Sequence, residues 1–223
     1  MVDILDPTKV GGTDLSSYDT SPDVSTGTGI NWNTMLKAGI KFLYTRASIG
    51  LNTDGAFSKI WSESKGLLPR GGYHFLYPSS TGLSIRQQAN LFASLLKSDP
   101  GELPPCVDVE YQGTDSKNRP AVLTSSDVFG FITYLHEAFD PWPWKDDVLI
   151  YTGYYYWKDT IASTDSFASL VCSAPGLLGF HLLVPIGVLM LRSLHSDSVG
   201  CLQQRLFLFP MMLRHLSSQV SQS

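Results

Sequence analysis

Asp108 and Glu110 are the residues of this sequence whose types and spacing best suit chemistry. They belong to the segment PPCVDVEY (104–111), in which two prolines and then an alternating pattern predict a short strand. Side chains two apart on a strand share a face, with Cα atoms about 6.6 Å apart, so each carboxylate disfavours ionisation of the other. An acid that keeps its proton beside one that has lost it is the pair that glycoside hydrolysis requires. The alternative is a solvated strand end, which is the commoner meaning of an isolated D-x-E.

The elements that must position these acids follow a regular order along the chain. Strands are predicted within 11–18, 40–46, 71–77, 106–110 and 147–152, and helices over 31–39, 54–65, 84–97 and from Ser125 or Ser126 onward. Such alternation predicts an α/β fold with a parallel sheet. The strand ends carry polar residues, which would meet at one mouth if the sheet closed into a barrel: Asp14, Arg46, His74, Glu110 and Tyr151.

The helices are expected to be amphipathic and capped. Asn31 and Ser84 precede two of them and are suited to the N-cap position. Their periodicity predicts inward faces that consist of Phe57, Ile60, Trp61 and Ser64, then Ile85, Ala89, Phe92 and Leu96, then Val128, Phe129, Ile132, Leu135 and Phe139.

Composition excludes several classes of function. The chain has 223 residues and a net charge of -4, without a basic cluster, so we expect no nucleic-acid partner. Three cysteines without C-x-x-C spacing predict neither a disulfide framework nor a zinc site, so we expect no metal. We also expect no cofactor, and a monomeric protein. Residues 1–12 contain no apolar run, so we expect no cleaved secretory leader, and action outside the cell would need another release route.

Eight short motifs occur in an order and spacing that resemble the glycoside hydrolase family 25 lysozymes. They cover about residues 11–160 and are GxDLSSY (12–18), IxW (30–32), FxYxRASxG (42–50), DxxF (54–57), GYHF (72–75), QAxxF (88–92), VDVE (107–110), and IYT (150–152) followed by Trp157. The resemblance implies a flattened, TIM-like (β/α) barrel. It also implies cleavage of the β-1,4 bond between N-acetylmuramic acid and N-acetylglucosamine in bacterial peptidoglycan. Family 18 glycosidases also use D-x-E, but their additional upstream acid has no counterpart in residues 103–106.

The resemblance also implies roles for individual residues. Glu110 would be the general acid, Asp108 would assist at the sugar's 2-acetamido group, and Asp14 would shape the electrostatics. The substrate-binding set would be Tyr73, His74, Tyr151 and Arg46. Structural alternatives stand beside these roles: Asp14 capping a turn, Tyr151 in the core, His74 as a hydrogen-bonded structural histidine, and Arg46 balancing nearby carboxylates instead of touching substrate.

The resemblance ends near residue 169, which divides the chain into a muramidase-like barrel (1–169) and an atypical tail (170–223). Every Trp and Tyr lies at or before Trp157, and the tail's charged residues are Arg192, Asp197, Arg205 and Arg214. Its uncharged run 171–191, which starts at Val171, is nominally long enough to span a bilayer, but Pro175 and Pro185 make it a poor candidate, so we expect no membrane partner. Three explanations stay open: a replaced ending, a divergent tail that docks on the barrel, and a membrane helix. We therefore expect a barrel that is incomplete or irregular at its C-terminal end. An inactive wall-binding remnant and a non-functional product are the alternatives to an active hydrolase.

Overall fold

A computed structural model describes residues 11–17, 30–110, 113, 121–144, 148–153, 156–161 and 188–192. Its strands are β1 (Gly11–Leu15), β2 (Ile40–Ile49), β3 (Asn52–Thr53), β4 (Arg70–Phe75), β5 (Cys106–Val109), β6 (Leu149–Gly153) and β7 (Val188–Arg192). Its α-helices are α1 (Trp32–Lys37), α2 (Phe57–Ser64), α3 (Ile85–Leu96) and α4 (Ser125–Ala138). Short turns of 3-10 and π helix occur at Ser79–Thr81 and Trp157–Ile161.

The strands form one sheet in the order β1-β2-β4-β5-β6-β7, with the short β3 paired to β2. The pairs β1–β2, β2–β4, β4–β5 and β5–β6 are parallel, which confirms the predicted parallel α/β fold. All five predicted strands are present, within a few residues of their expected bounds. The sheet is a curled half-barrel, and its described strands run from β1 at one edge to β7 at the other.

The two faces of the sheet have different environments because successive side chains of a strand point to opposite sides. One face is covered by helices and holds the main core, in which Val107 and Val109 of β5 pack with residues of α3 and α4. The other face carries a smaller aromatic cluster that includes Phe42, Tyr44 and Cys106. Glycine at position 71 makes room for this cluster, since a Cβ there would overlap the ring of Tyr44.

The helices follow the predicted pattern with one correction. Asn31 and Ser84 accept hydrogen bonds from Thr34 and Gln87 and are the N-caps of α1 and α3, as predicted. Helix α4 begins at Ser125, as predicted, and its N-cap is Thr124, whose hydroxyl forms a reciprocal capping box with the Asp127 carboxylate. Phe131, which the predicted inward face omitted, is fully buried, whereas Phe129 is only half-buried. The remaining predicted inward residues are buried.

Much of the tail lies outside the described residues, as do residues 20–29 and all of 112–120 except Gly113, where the sequence predicts loops. Residues 188–191, the last four of the uncharged run 171–191, belong to β7, which pairs antiparallel with β6. Nothing in the described part of the chain is a helix of the length and apolarity needed to cross a membrane.

Candidate active site

Asp108 lies near the carboxyl end of the central strand β5, on the face that carries the aromatic cluster. Its Cα partners are Phe75 in β4 and Tyr151 in β6. Its side chain is only 8% exposed. Glu110 follows the last residue of β5 and is half-buried. Val109, between the two acids, is fully buried in the core on the helix side. The short strand therefore places two carboxyl groups at the mouth of the sheet.

The environment of this pair favours the protonated form of both acids. Burial raises the pKa of Asp108 well above its usual range, and the nearby charges of Glu110 and then Asp14 raise it further, against an opposing effect of Arg46. Burial also raises the pKa of Glu110, again with a contribution from Asp14. Among the described residues, none donates a hydrogen bond to the buried Oδ1 atom of Asp108, so no donor from this part of the chain offsets the effect of burial there. A pair of this kind holds at least one proton near neutral pH, as a general acid must.

Two tyrosines and Asp14 complete the electrostatic surroundings of the pair. Burial, followed by the charges of Asp14 and Asp108, raises the pKa of Tyr73. Burial, followed by the charges of Glu110, Asp108 and Asp14, raises the pKa of Tyr151. Both phenols are half-buried and keep their protons, so they can donate hydrogen bonds. Asp14 is itself exposed, on β1 beside Tyr44 of β2. The structure thus brings Asp14, Tyr73 and Tyr151 together with the two acids.

Arg46 is bound to a carboxylate. Its Nε and Nη2 atoms each lie 2.8 Å from Oδ2 of Asp54, and both side chains are buried. Asp54 also accepts hydrogen bonds from the backbone N–H and hydroxyl of Ser17 and from the backbone N–H of Ala56. This network ties the end of β1 to β2 and to the segment before α2. The position of Arg46 matches the alternative in which it balances carboxylates.

His74 lies on the opposite face of the sheet from Tyr73 and has no exposed surface. Its Nδ1 is 2.8 Å from the Ser48 hydroxyl, and its Nε2 is 3.2 Å from Oε1 of Gln88. Its ring stacks on Phe131 at 4.8 Å between centroids. Burial lowers the pKa of His74 to about 4, so the ring is neutral at physiological pH. The structure does not bring His74 into the group around the acids, and its contacts are those of the structural alternative.

A pocket of about 310 Å³ lies at the end of β2, two strands away from β5 in the sheet order. Its wall is formed by the end of β2, the β3 segment, Ser17, Tyr77 and Leu83. Asp108 and Glu110 are not among its lining residues. The acid pair and the pocket are therefore two separate features at the carboxyl ends of the parallel strands.

Sequence reasoning missed the roles of Asp54, Ser48 and Gln88. In the sequence, Asp54 is only part of a motif at the start of a helix, although Arg46, eight residues earlier, is a candidate for balancing a carboxylate. Gln88 occupies an inward position of α3 that apolar periodicity cannot detect. Within the ranges that the structure describes, no group of three or more His, Cys, Asp or Glu side chains is placed to hold a metal ion.

Comparison with known proteins gives consistent matches. The family model described as glycosyl hydrolases family 25 matches residues 14–171. Lysozyme M1 from Streptomyces globisporus is 28% identical over 170 residues, which are 74% of this chain and 53% of that protein. The chain thus spans about half the length of this curated relative. The crystal structure of the bacterial lysozyme from Streptomyces coelicolor has 27% identity and a TM-score of 0.51, and the match covers 72% of this chain and 70% of that one. The muramidase from Acremonium alcalophilum shares the fold, with 23% identity, a TM-score of 0.51, and coverage of 72% and 73%.

Proposed function

Because the chain belongs to glycosyl hydrolases family 25, we propose that it is a peptidoglycan hydrolase, a muramidase that cleaves the β-1,4 bond between N-acetylmuramic acid and N-acetylglucosamine. Relatives named lysozyme and muramidase support this substrate class. The single observation that carries the proposal is the placement of two neighbouring carboxyl groups, buried Asp108 and half-buried Glu110, at the carboxyl end of a central parallel strand. Burial raises the pKa of both groups, which supports the presence of a proton on the pair. The site of action would be the bacterial cell wall, outside the cytoplasm.

In the proposed mechanism, Glu110 donates its proton to the glycosidic oxygen as the bond from that oxygen to the anomeric carbon breaks. Glu110 is the more accessible of the two acids and is therefore the better placed to reach a substrate oxygen. Asp108 orients the 2-acetamido group, whose carbonyl oxygen attacks the anomeric carbon as the leaving group departs. Water then opens this cyclic intermediate, and its proton returns to Glu110. The overall result is hydrolysis with retained configuration.

The surrounding residues would bind the sugar and adjust the pKa values of the two acids. Tyr73 and Tyr151 flank the acids with protonated phenols that can bond sugar hydroxyls. The charge of Asp14 raises the pKa values of both acids and so helps Glu110 to retain, before the reaction, the proton that it donates to the glycosidic oxygen. We propose that Arg46 acts on the acid pair through its charge and does not contact substrate, because this charge opposes the rise in the pKa of Asp108.

The same proposal extends to the architecture. Residues 1–169 would form the catalytic unit. The tail would extend the curved sheet towards a flattened barrel, and the protein would be a monomer. The pairing of β7 with β6 supports a tail that docks on the sheet.

Clearing of a purified cell-wall suspension tests the activity. Glu110→Gln keeps the shape of the side chain and removes its acid, so we expect clearing to fall by roughly 100-fold or more. Glu137→Gln, on the exposed surface of α4, is the matched control and should clear walls like the unmodified chain. Equal clearing by the Glu110→Gln protein and the unmodified chain would remove Glu110 from its role.

An inactive wall-binding domain is the second candidate. It is favoured by the antiparallel β7, which stands where a continuing βα barrel would place a parallel strand. Sedimentation of the protein with insoluble walls, without clearing, would establish this candidate in place of the hydrolase.

A further inference from the structure

The pocket at the end of β2 is in register with the acid strand across the sheet. Ile49 at the end of β2 is in register with Phe75 of β4, and Phe75 is in register with Asp108 of β5. Adjacent strands are about 4.8 Å apart, so the end of β2 lies roughly 10 Å from the acid strand along this row. Ile49, Gly50 and Leu51 line the pocket. A polymer that crosses the mouth from β5 towards β2 would therefore reach the pocket at a distance from the bond that is cut.

The charge among the described lining residues is balanced. Of these residues, Asp54 is the charged one, and it is only 4% exposed. Its two oxygens accept hydrogen bonds from Ser17, Arg46 and Ala56, and the Arg46 guanidinium neutralises it. The described part of the lining therefore supplies no uncompensated charge for an ammonium or carboxylate group, which favours an uncharged occupant.

The rest of the lining combines an aromatic ring with small apolar and polar groups. Gly50 has a φ of +54°, and a Cβ there would lie 2.9 Å from Cδ2 of Tyr77, so glycine allows this ring to lie close against the backbone. Leu51 is 39% exposed, and Asn52 and Thr53 are exposed polar residues on the same wall. An aromatic ring with adjacent amide and hydroxyl side chains suits a sugar that carries an acetamido substituent.

The wall that contains Tyr77 is fixed before any ligand arrives. The buried side chain of Gln88 accepts a hydrogen bond from the Tyr77 N–H at 2.9 Å and donates one to the Tyr77 carbonyl at 2.9 Å. The same amide oxygen contacts His74, which in turn contacts Ser48 of β2. Both sides of the pocket are thus tied to one buried network, which lowers the entropic cost of binding.

From these features we propose that this pocket, formed by the end of β2, the β3 segment and Tyr77, binds an N-acetylated sugar unit of the glycan strand remote from the scissile bond. The identity of the glycan comes from the proposed function, on which this inference rests. The new element is a distal subsite for that glycan. It makes the enzyme select for chains long enough to occupy the acid pair and the pocket together.

Binding to soluble, peptide-free glycan fragments of peptidoglycan tests the pocket separately from catalysis. The background is the full chain carrying Glu110→Gln, so that no fragment is cut, and affinity is measured by titration calorimetry. Asn52→Trp fills the pocket from an exposed position, and Asn90→Trp on the exposed face of α3 is the matched control. We expect Asn52→Trp to weaken binding of long fragments about tenfold, to leave the shortest bound fragment unaffected, and Asn90→Trp to change neither.

Two results would overturn the pocket assignment. One is an unchanged affinity for long fragments in the Asn52→Trp protein, or no affinity in its parent. The other is a loss that appears only when the stem peptides are still attached, because the occupant would then be peptide. Failure of the catalytic proposal shows itself differently, as an absence of wall clearing by the unmodified chain, and it leaves the comparison between Asn52→Trp and Asn90→Trp intact.

Discussion

Tyr73 and His74 are neighbours in the chain and lie on opposite faces of the sheet. Tyr73 packs against the aromatic cluster on the face of the acid pair. His74 is stacked on Phe131 and approaches Phe92 on the helix side. Two adjacent residues of a strand cannot both line one cleft, because their side chains alternate. Because Tyr73 lies on the face of the acid pair, it can contact substrate, whereas His74 packs in the core.

The buried position of His74 predicts an acid-sensitive fold. In the folded chain its pKa is about 4, whereas an unfolded histidine titrates near 6.5. Between these values the unfolded chain binds a proton that the folded chain does not, so the free energy of unfolding falls as the pH is lowered from 6.5 to 4. The loss expected from this group is about 3 kcal/mol. Urea unfolding at a series of pH values measures it.

The variant His74→Gln separates this effect from stability in general. It loses the ring contacts and is expected to be less stable at pH 7, yet its stability should depend less on pH between 6.5 and 4. Leu135→Ala, a fully buried core change in α4 without a titratable group, should lower stability while keeping the unmodified slope. An identical slope in the His74→Gln protein would exclude His74 as the source.

Local sequence patterns anticipated the strands and the acids, but not the partners of polar side chains. The D-x-E spacing placed Asp108 and Glu110 at the end of β5 because alternation along a strand is a local property. The pairing of Asp54 with Ser17 depends on contacts between residues 37 positions apart, which no local pattern encodes. The same limit explains Gln88, a polar residue at a core position that is satisfied by His74 and Tyr77.

The exposed Asp14 should set the pH range of activity through the acid pair. Its charge raises the pKa of Glu110, so Asp14→Asn lowers that pKa and Glu110 loses its proton at a lower pH. Because the proposed general acid must be protonated, we expect the alkaline limb of the activity profile to move to lower pH. Rates of wall clearing over a pH series measure the shift. The control Glu137→Gln removes a remote carboxylate and should leave the limb in place. A limb that moves to higher pH in the Asp14→Asn protein would contradict the assignment.

Arg70 at the start of β4 is predicted to be a principal source of stability. Its guanidinium is fully buried, binds Asp99 and Glu102 at 3.1 and 3.0 Å, and lies 4.5 Å from the centroid of the Trp61 ring. Arg70→Leu removes both ion pairs and the 2.8 Å hydrogen bond from the guanidinium to the Trp61 carbonyl, although Asp99 keeps its ion pair with Lys65. We therefore expect the free energy of unfolding to fall by about 2 kcal/mol. Denaturant unfolding measures the loss.

Arg86 offers a matched comparison for Arg70. It forms an ion pair with Glu137 at 2.7 Å, but both side chains are more than half exposed. Solvent screens such a pair, so Arg86→Leu should change stability only slightly. Losses of equal size in the two leucine variants would contradict the view that burial makes the Arg70 network important.

Strand β7 was absent from the sequence prediction because its apolar run 188–191 has no alternation that distinguishes a strand from the rest of the tail. It pairs antiparallel with β6, with Leu189 opposite Thr152 and Leu191 opposite Ile150. This pairing covers the edge of β6, which would otherwise offer unpaired N–H and C=O groups to other chains. Strand β7 of the tail therefore has a structural role, which is to cover the edge of β6 that would otherwise be open.

Proline in β7 tests that role. The double change Leu189→Pro and Leu191→Pro removes two backbone N–H groups and disrupts the ladder, whereas Leu189→Val and Leu191→Val keeps an apolar strand. We expect the proline protein to expose the β6 edge and associate, and the valine protein to behave like the unmodified chain. Analytical ultracentrifugation over a concentration series measures the association. If the proline protein stays in the same state as the valine protein at every concentration, β7 does not protect the edge, and the sheet must be closed by another part of the chain.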